Sequence, residues 1–289
     1  MKIYLNGKLV DKADAKVSVF DHGFLYGDGA FEGVRSYHGR VFRLERHIDR
    51  LYESMHTLMI DPRMTKKEMI GAVVKTLRAN KIKDGYIRLI VSRGDGDLGL
   101  DPRKCFGRPN VIIITDKIHL YPPQLYQKGM EIITVPTVKN HPNALSPQLK
   151  SLNYLNNILA KIEASLCGYN EAIMLQDNGT IGECTGDNVF IYKNGVLSTP
   201  YLGCLKGITC GAILELALKM KIKVFEGYIT RHEMYNAQEC FLTGTAAELV
   251  PIVKVDGRVI GGGRPGLVTK KLWRAFHQLT KKDGVKYDL

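Results

Sequence analysis

Nowhere in the 289 residues is there a CxxC pair, an apolar run of 18 residues, an internal repeat or a low-complexity tract. Each absence closes a route. Without paired motifs the six cysteines (Cys105, Cys167, Cys184, Cys204, Cys210, Cys240) offer neither a zinc ribbon nor a dithiol redox centre, and they read as reduced thiols of a cytoplasmic protein. Without a long apolar run there is no membrane span. The opening residues Met1-Lys2-Ile3-Tyr4-Leu5-Asn6-Gly7 also lack an apolar stretch ahead of a cleavage site, so a soluble intracellular chain is expected. No histidine stands at metal-ligand spacing and no serine lies in a GxSxG elbow, so no metal is expected. His22, His47 and His141 read as structural or supporting residues.

What is present suits a folded protein. Hydrophobic residues make up 45% of the chain, too many for disorder, and the length accommodates one or two domains. The excess of 41 Lys and Arg over 29 Asp and Glu gives +12, which raises nucleic acid as a partner. The basic residues are spread along the chain, however, and no recognition motif or aromatic platform accompanies them. A solvated surface that favours anionic substrates is the better reading, with no nucleic-acid partner.

Asn6-Gly7 between short apolar stretches predicts a hairpin over residues 3–10, and His38-Gly39 predicts another joining residues 31–37 to 40–43. Leu44, Ile48, Leu51, Met55 and Leu58 recur at helical spacing until Asp61-Pro62, and Thr65 with Glu68 forms a capping box for a helix over residues 65–80. Residues 86–93 and 111–115 read as buried strands. Pro122-Pro123 precludes helix and sheet interior alike, so residues 118–128 read as the linker between domain 1–117 and domain 129–289. Beyond it come a strand over 130–135 and a helix from about Tyr154 with the apolar face Leu155, Ile158, Leu159, Ile162 and Leu166. A strand meander over residues 172–198 follows, then a helix over 208–220, strands near 224–228 and 240–242, and a last helix over 266–279.

Gly94-Asp95-Gly96-Asp97-Leu98-Gly99 matches GxGxxG, but no helix follows to receive a pyrophosphate: Pro102, Gly107 and Pro109 crowd the segment before the next strand. It reads as a glycine-rich hairpin tip that reaches another part of the assembly. Lys150, in Ser146-Pro147-Gln148-Leu149-Lys150-Ser151-Leu152-Asn153-Tyr154, is more informative. An ordinary lysine, of pKa about 10.4, is almost wholly protonated at pH 7, so an amine that must attack an aldehyde needs help from its surroundings. That help is sought in Tyr154, in Glu183 within Gly182-Glu183-Cys184-Thr185-Gly186-Asp187-Asn188, and in the turn Thr243-Gly244-Thr245-Ala246-Ala247. A helix starting near Lys150 would place Tyr154 one turn on along the same edge.

In order and spacing these segments, with Tyr26-Gly27-Asp28-Gly29-Ala30-Phe31-Glu32-Gly33 and Tyr86-Ile87-Arg88, resemble the branched-chain amino-acid aminotransferases of the fold-type IV pyridoxal phosphate enzymes, nearly end to end. The resemblance implies a two-domain α+β fold, a small α/β domain followed by a larger one built round an antiparallel β-barrel, with pyridoxal 5'-phosphate between them. It makes Lys150 the catalytic lysine that holds the cofactor, places Tyr154 by the ring hydroxyl, and pairs Glu183 with the ring nitrogen. Arg50, Ile208, Thr209 and Thr245 would hold the phosphate, Ile208 and Thr209 by opening a helix whose free amides favour an anion. Cys210 follows the Gly-Ile-Thr turn where many relatives carry arginine. Phe31, Gly33, Tyr86, Arg88, Thr245 and Ala246 are implied on the substrate side, joined by Tyr26, Leu98 and Leu100 from a partner subunit of a homodimer or higher homo-oligomer. The implied reaction is ping-pong exchange of an amino group between leucine, isoleucine or valine and 2-oxoglutarate. D-amino-acid transaminases and aminodeoxychorismate lyases share the cofactor residues and remain alternatives. A non-enzymatic basic binding protein is the rival outside the fold.

Overall fold

The computed structural model describes residues 1–117 and 121–289. Its described residues divide into two compact units: residues 1–117 with 149–153 and 280–289, and residues 121–148 with 154–279. The two short excursions, 149–153 and 280–289, depart from the continuous domains 1–117 and 129–289 of the sequence reading. Part of the expected linker, residues 118–120, lies outside the described residues. The rest of it is not open chain, because Pro123 takes the first helical position of a short helix, where its missing N–H costs nothing.

The first unit is a seven-stranded, wholly antiparallel sheet. Strands β1 (Lys2–Leu5) and β2 (Lys8–Asp11) meet through Asn6 and Gly7, both at positive φ, the conformation a two-residue hairpin turn demands. A one-turn helix α1 (His22–Tyr26), capped by the Asp21 carboxylate, precedes β3 (Gly29–Tyr37) and β4 (Arg40–Val41). Helices α2 (Leu44–Leu58) and α3 (Lys66–Ala79) follow, the latter closed by the Thr65/Glu68 capping box. Strands β5 (Gly85–Ser92) and β6 (Asn110–Asp116) complete the centre, and the late strand Val285–Lys286 pairs with β4 at the sheet edge. Leu44, Ile48, Leu51 and Met55 of α2 and Met69, Val73 and Leu77 of α3 pack with Ala30 and Val34 of β3 and Ile87, Leu89 and Val91 of β5. Alternation then sends Phe31, Gly33, Tyr86 and Arg88 to the opposite face.

The second unit carries α4 (Pro123–Lys128), β7 (Met130–Val135), α5 (Leu155–Leu166), β8 (Ala172–Leu175), β9 (Ile181–Cys184), β10 (Asn188–Lys193), β11 (Val196–Pro200), α6 (Ile208–Lys219), β12 (Lys223–Gly227), α7 (Arg231–Tyr235), β13 (Glu239–Gly244), β14 (Glu248–Val255), β15 (Arg258–Val259) and α8 (Leu267–Thr280). The sheet order is β12-β11-β10-β13-β14-β7-β8-β9, with β15 on β14. The sheet curls as the expected barrel-like domain requires, the Ile181 amide of β9 donating to the Ile229 carbonyl just beyond β12. Its pairing is not purely antiparallel as expected, since β11 and β12, β14 and β7, and β7 and β8 pair in parallel. Its concave core holds Ile132, Ile173, Ile181, Val189, Leu242 and Val250.

The helix over the apolar face Leu155, Ile158, Leu159, Ile162 and Leu166 forms as expected, but among the described residues nothing covers that face: all five are exposed, Leu166 by 83%. The residues that α5 buries are its small ones, Ala160 and Ala164, against Val135, Ala172 and Met174.

Candidate active site

Within the first unit, Lys150 lies on an extended segment and not on a helix. Phe31 N donates to Lys150 O, Leu152 N donates to Gly29 O, and Lys150 N donates to Ser54 Oγ at 3.3 Å. These bonds add residues 150–152 to the free flank of β3 as an extra rung, with Ala30 opposite Ser151. The predicted helix begins only at Leu155, and Tyr154 is its N-cap residue, so the shared helical edge of Lys150 and Tyr154 does not exist. The Lys150 ammonium sits 4.4 Å from the centroid of the Phe31 ring, and the Arg88 guanidinium lies 4.6 Å from the same centroid. Arg88 Nη2 also donates to the Tyr86 hydroxyl at 3.1 Å, which rests against Gly33; a Cβ at Gly33 would overlap it. Phe31, Gly33, Tyr86, Arg88 and Lys150 are thus brought together on one face.

The other face explains Arg50. Glu32, between Phe31 and Gly33, points to the helices and is fully buried. Arg50 Nε donates to Glu32 Oε1 at 2.7 Å, Arg50 Nη2 to Oε2 at 2.9 Å, and His47 Nδ1 lies 2.7 Å from Oε2. Burial drives the Glu32 carboxyl upward, but the Arg50 charge, then His47 and the hydrogen bonds, outweigh it and hold the group at about 2. His47 is pushed below its ordinary value, chiefly by burial, against the pull of Glu32. Arg50, implied by the resemblance as a phosphate ligand, is therefore a fixed buried cation. Spacing holds the clue to this: His47, Arg50 and Ser54 form a polar stripe beside the apolar one.

In the second unit Glu183 ends β9 with its carboxylate buried. Leu205 N donates to Oε2 at 3.0 Å, and Lys139 Nζ is 2.6 Å from Oε1. Lys139 has a side chain only 5% exposed and was missed by the sequence reading. Asn188 links this carboxylate to the next segment: its Nδ2 donates to Leu205 O at 2.8 Å, and its Oδ1 lies where a Cβ on Gly207 would fall. Gly207 caps α6 without any side-chain oxygen, so Ile208 and Thr209 open that helix with amides that no capping side chain satisfies. Cys210 beside them is buried and its thiol is pushed up by that burial, so it brings no charge. Asn188 also faces Thr243 across β10 and β13, and the Thr243 hydroxyl is buried with no hydrogen-bond partner among the described residues. Thr245 and Ala246 follow in the same turn. Asn157, on the first turn of α5 beyond Tyr154, donates to Thr185 O at 2.7 Å.

In the first unit the Tyr26 hydroxyl donates to Leu98 O at 2.5 Å, and the side chains of Leu98 and Leu100 are exposed. The glycine loop runs into a single 3-10 turn, Pro102–Lys104, and not into an anion-binding helix, as the rejection of a dinucleotide site requires. His22 braces it, with Nε2 at 2.8 Å from Asp97 O and Nδ1 at 3.4 Å from Cys105 Sγ.

Each unit by itself offers part of what a phosphorylated aldehyde cofactor needs: the second a helix N-terminus without a side-chain cap and a buried carboxylate, the first a fixed arginine and a lysine amine over an aromatic face. Comparison with known sequences decides the family, because the class IV amino-transferase profile matches residues 29–255. The chain belongs to the class IV aminotransferases. A Methanocaldococcus jannaschii protein, provisionally named a branched-chain-amino-acid aminotransferase, is 54% identical over the full length of both chains. The aminotransferase also superposes with TM-score 0.94 on the crystal structure of the Escherichia coli branched-chain amino acid aminotransferase, at 35% identity over 99% of this chain and 97% of that one. The branched-chain amino acid aminotransferase from Thermobaculum terrenum, solved in its PLP-bound holo form, matches with TM-score 0.88, at 28% identity over 98% and 94%. Among the described residues no group of three His, Cys, Asp or Glu is placed to hold a metal ion.

Proposed function

We propose that this aminotransferase exchanges the amino group between branched-chain L-amino acids and 2-oxoglutarate, with pyridoxal 5'-phosphate as its cofactor. The observation that carries the reading is Lys150, its backbone bonded to β3 and its amine set over Phe31 beside Arg88. Lys150 would hold the cofactor through its aldehyde carbon, Glu183 would pair with the ring nitrogen and Tyr154 with the ring hydroxyl. Arg50, Ile208, Thr209 and Thr245 would hold the phosphate. When bound, the cofactor supplies a protonated ring that takes up the electron pair released at the substrate's α-carbon. The Lys150 amine carries the proton off and back onto that carbon. Lys139 sets a cation beside the buried Glu183 carboxyl, 2.6 Å from Oε1.

Phe31 gives an aliphatic side chain an apolar wall, and Tyr86, Thr245 and Ala246 receive the α-carboxylate. Arg88 serves the glutamate half-reaction. Among the described residues no carboxylate pairs with its guanidinium; the Tyr86 hydroxyl and two aromatic rings hold it instead. Such a cation is ready for a distal carboxylate. A homodimer is part of the reading, with Tyr26, Leu98 and Leu100 serving the partner's pocket. The exposed stripe of α5, with Leu98 and Leu100 at 68% and 79% exposure, supports it, since a second copy would cover apolar surface of this extent. So is a cytoplasmic location, in keeping with six free cysteines and with no described helix long and apolar enough to cross a membrane.

Borohydride reduction of the purified protein followed by peptide mapping is expected to place the cofactor on Lys150. Lys150→Ala should lose both the attachment and turnover. A panel of L- and D-amino acids with 2-oxoglutarate should show leucine, isoleucine and valine as donors. An adduct on another lysine, or a preference for D-amino acids, would overturn the assignment.

A further inference from the structure

Beneath the turn 243–247 lies a pair of buried carboxyl groups to which no role has been given. Glu171, next to β8, and Asp187, just before β10, are 2% and 5% exposed. One phenol serves both: the Tyr121 hydroxyl is 3.3 Å from Glu171 Oε2 and 3.4 Å from Asp187 Oδ2. A phenol has a single proton, so it donates to one carboxyl, and the other must bring a proton of its own to bond with the phenol oxygen. Counting donors identifies which. Glu171 Oε1 accepts from Ala172 N at 2.8 Å, Thr185 N at 3.0 Å and Thr185 Oγ1 at 2.6 Å, and Lys161 Nζ is 3.6 Å from Oε2. That carboxyl is furnished for a negative charge. Among the described residues the Asp187 carboxyl has only Tyr121. The proton therefore belongs to Asp187, in a chain running from Asp187 through Tyr121 to Glu171.

The register fixes what this acid touches. Asn188 pairs with Thr243, so Asp187 stands opposite Gly244, and a Cβ at Gly244 would overlap Asp187 Oδ1. Gly244 leads directly into Thr245 and Ala246. We propose that Asp187 is a positioning residue held as a neutral acid against Gly244, so that the turn 243–247 can receive anionic groups, and that its ionisation weakens their binding. The proposal rests on the reading of that turn as a seat for phosphate and carboxylate. Burial raises the Asp187 carboxyl well above the usual carboxylate range, with the Glu171 charge adding to the rise and Lys161 opposing it. Cys184, also packed there, is held as a neutral thiol chiefly by burial.

Two measurements on the full-length protein test this. Infrared spectroscopy should show a protonated carboxyl band at pH 6 that disappears by pH 8.5 and is missing from Asp187→Asn. In parallel, pyridoxal 5'-phosphate is titrated into the cofactor-stripped proteins, and dissociation constants are compared between wild type and Asp187→Asn so that the ligand's own titration cancels. Their ratio should grow by roughly tenfold from pH 6 to 8.5, the effect of one added negative charge several ångströms from the bound anion. Glu171→Gln, which removes the neighbouring charge, should move the wild-type response to lower pH. Wild type and Asp187→Asn sharing one pH response, or a carboxyl already ionised at pH 6, overturns the proposal. If wild type binds no pyridoxal phosphate at either pH while the carboxyl band titrates, the functional reading fails and the proposal falls with it.

Discussion

The role proposed for Arg88 would have a single side chain serve two substrates. The guanidinium is fixed by the Tyr86 hydroxyl and lies over Phe31, so it is ordered before any carboxylate arrives. Replacing Arg88 with Gln should lower kcat/KM for glutamate and 2-oxoglutarate more than for leucine and its 2-oxo acid. The difference should be roughly 1.5 to 3 kcal/mol, as for one charged hydrogen bond. Steady-state kinetics with both substrate pairs checks this, and equal losses would leave Arg88 a structural role. Residues of this kind differ in how far the sequence reveals them. Lys150 and Glu183 stand out through the motifs around them, which carry the resemblance to the family. Lys139 and Glu32 do not, since each meets its partner across a long stretch of chain or across a helix–sheet seam. A carboxylate in the apolar run Ala30-Phe31-Glu32-Gly33-Val34 was nonetheless a visible anomaly, given what an unpaired charge costs in a core strand.

The seam between β3 and α2 depends on that carboxylate. Glu32→Gln would leave the Arg50 cation and His47 in a site built for an anion, and removing one partner of a buried pair costs roughly 3 to 5 kcal/mol. The contribution has a definite pH window. Glu32 is held at about 2 in the folded protein, below its ordinary value, so its stabilisation is complete at neutral pH and is lost as pH falls from about 4.5 through about 2. Urea unfolding of both proteins should show the gap at pH 7 and its shrinkage across that acidic window. A gap independent of pH would mean that the charge is not what holds the seam. Elements with strong local grammar were legible here, such as the hairpin turns at Asn6-Gly7 and Asn194-Gly195, where the Asn and Gly residues have positive φ, and the Thr65 cap of α3. Strand β14 was not, because it contains Pro251. The proline is tolerated because pairing with β7 begins only at Ile252, leaving no partner there for the missing N–H. The stripe of α5 was legible as the apolar face of a helix, but periodicity reports such a face without saying which molecule covers it.

For the whole molecule the α5 stripe becomes a question of assembly. Changing Ile158 and Ile162 together to Glu places two charges on neighbouring turns of that stripe. Wild type should sediment as a dimer and the double variant near the single-chain mass of 32.4 kDa, with circular dichroism of the helices and sheets retained. An unchanged dimer would move the interface elsewhere. The division into units was the least legible feature, because it follows pairing partners distant in sequence: residues 149–153 bond to β3 and residues 280–289 return to β4.

That return has a consequence for synthesis on the ribosome. The Ser36 hydroxyl lies 2.7 Å from the Tyr287 hydroxyl, which donates to the Ile82 carbonyl, and Arg40 reaches the carbonyl of Gly284. The unit that begins first is thus finished last. While residues 121–279 are being made, at roughly 5 to 20 residues per second, β4 waits with an open hydrogen-bonding edge, the kind of edge that recruits stray strands. Its two-residue length and its flanking arginines, Arg40 and Arg43, keep that nascent edge short and charged until its own strand arrives.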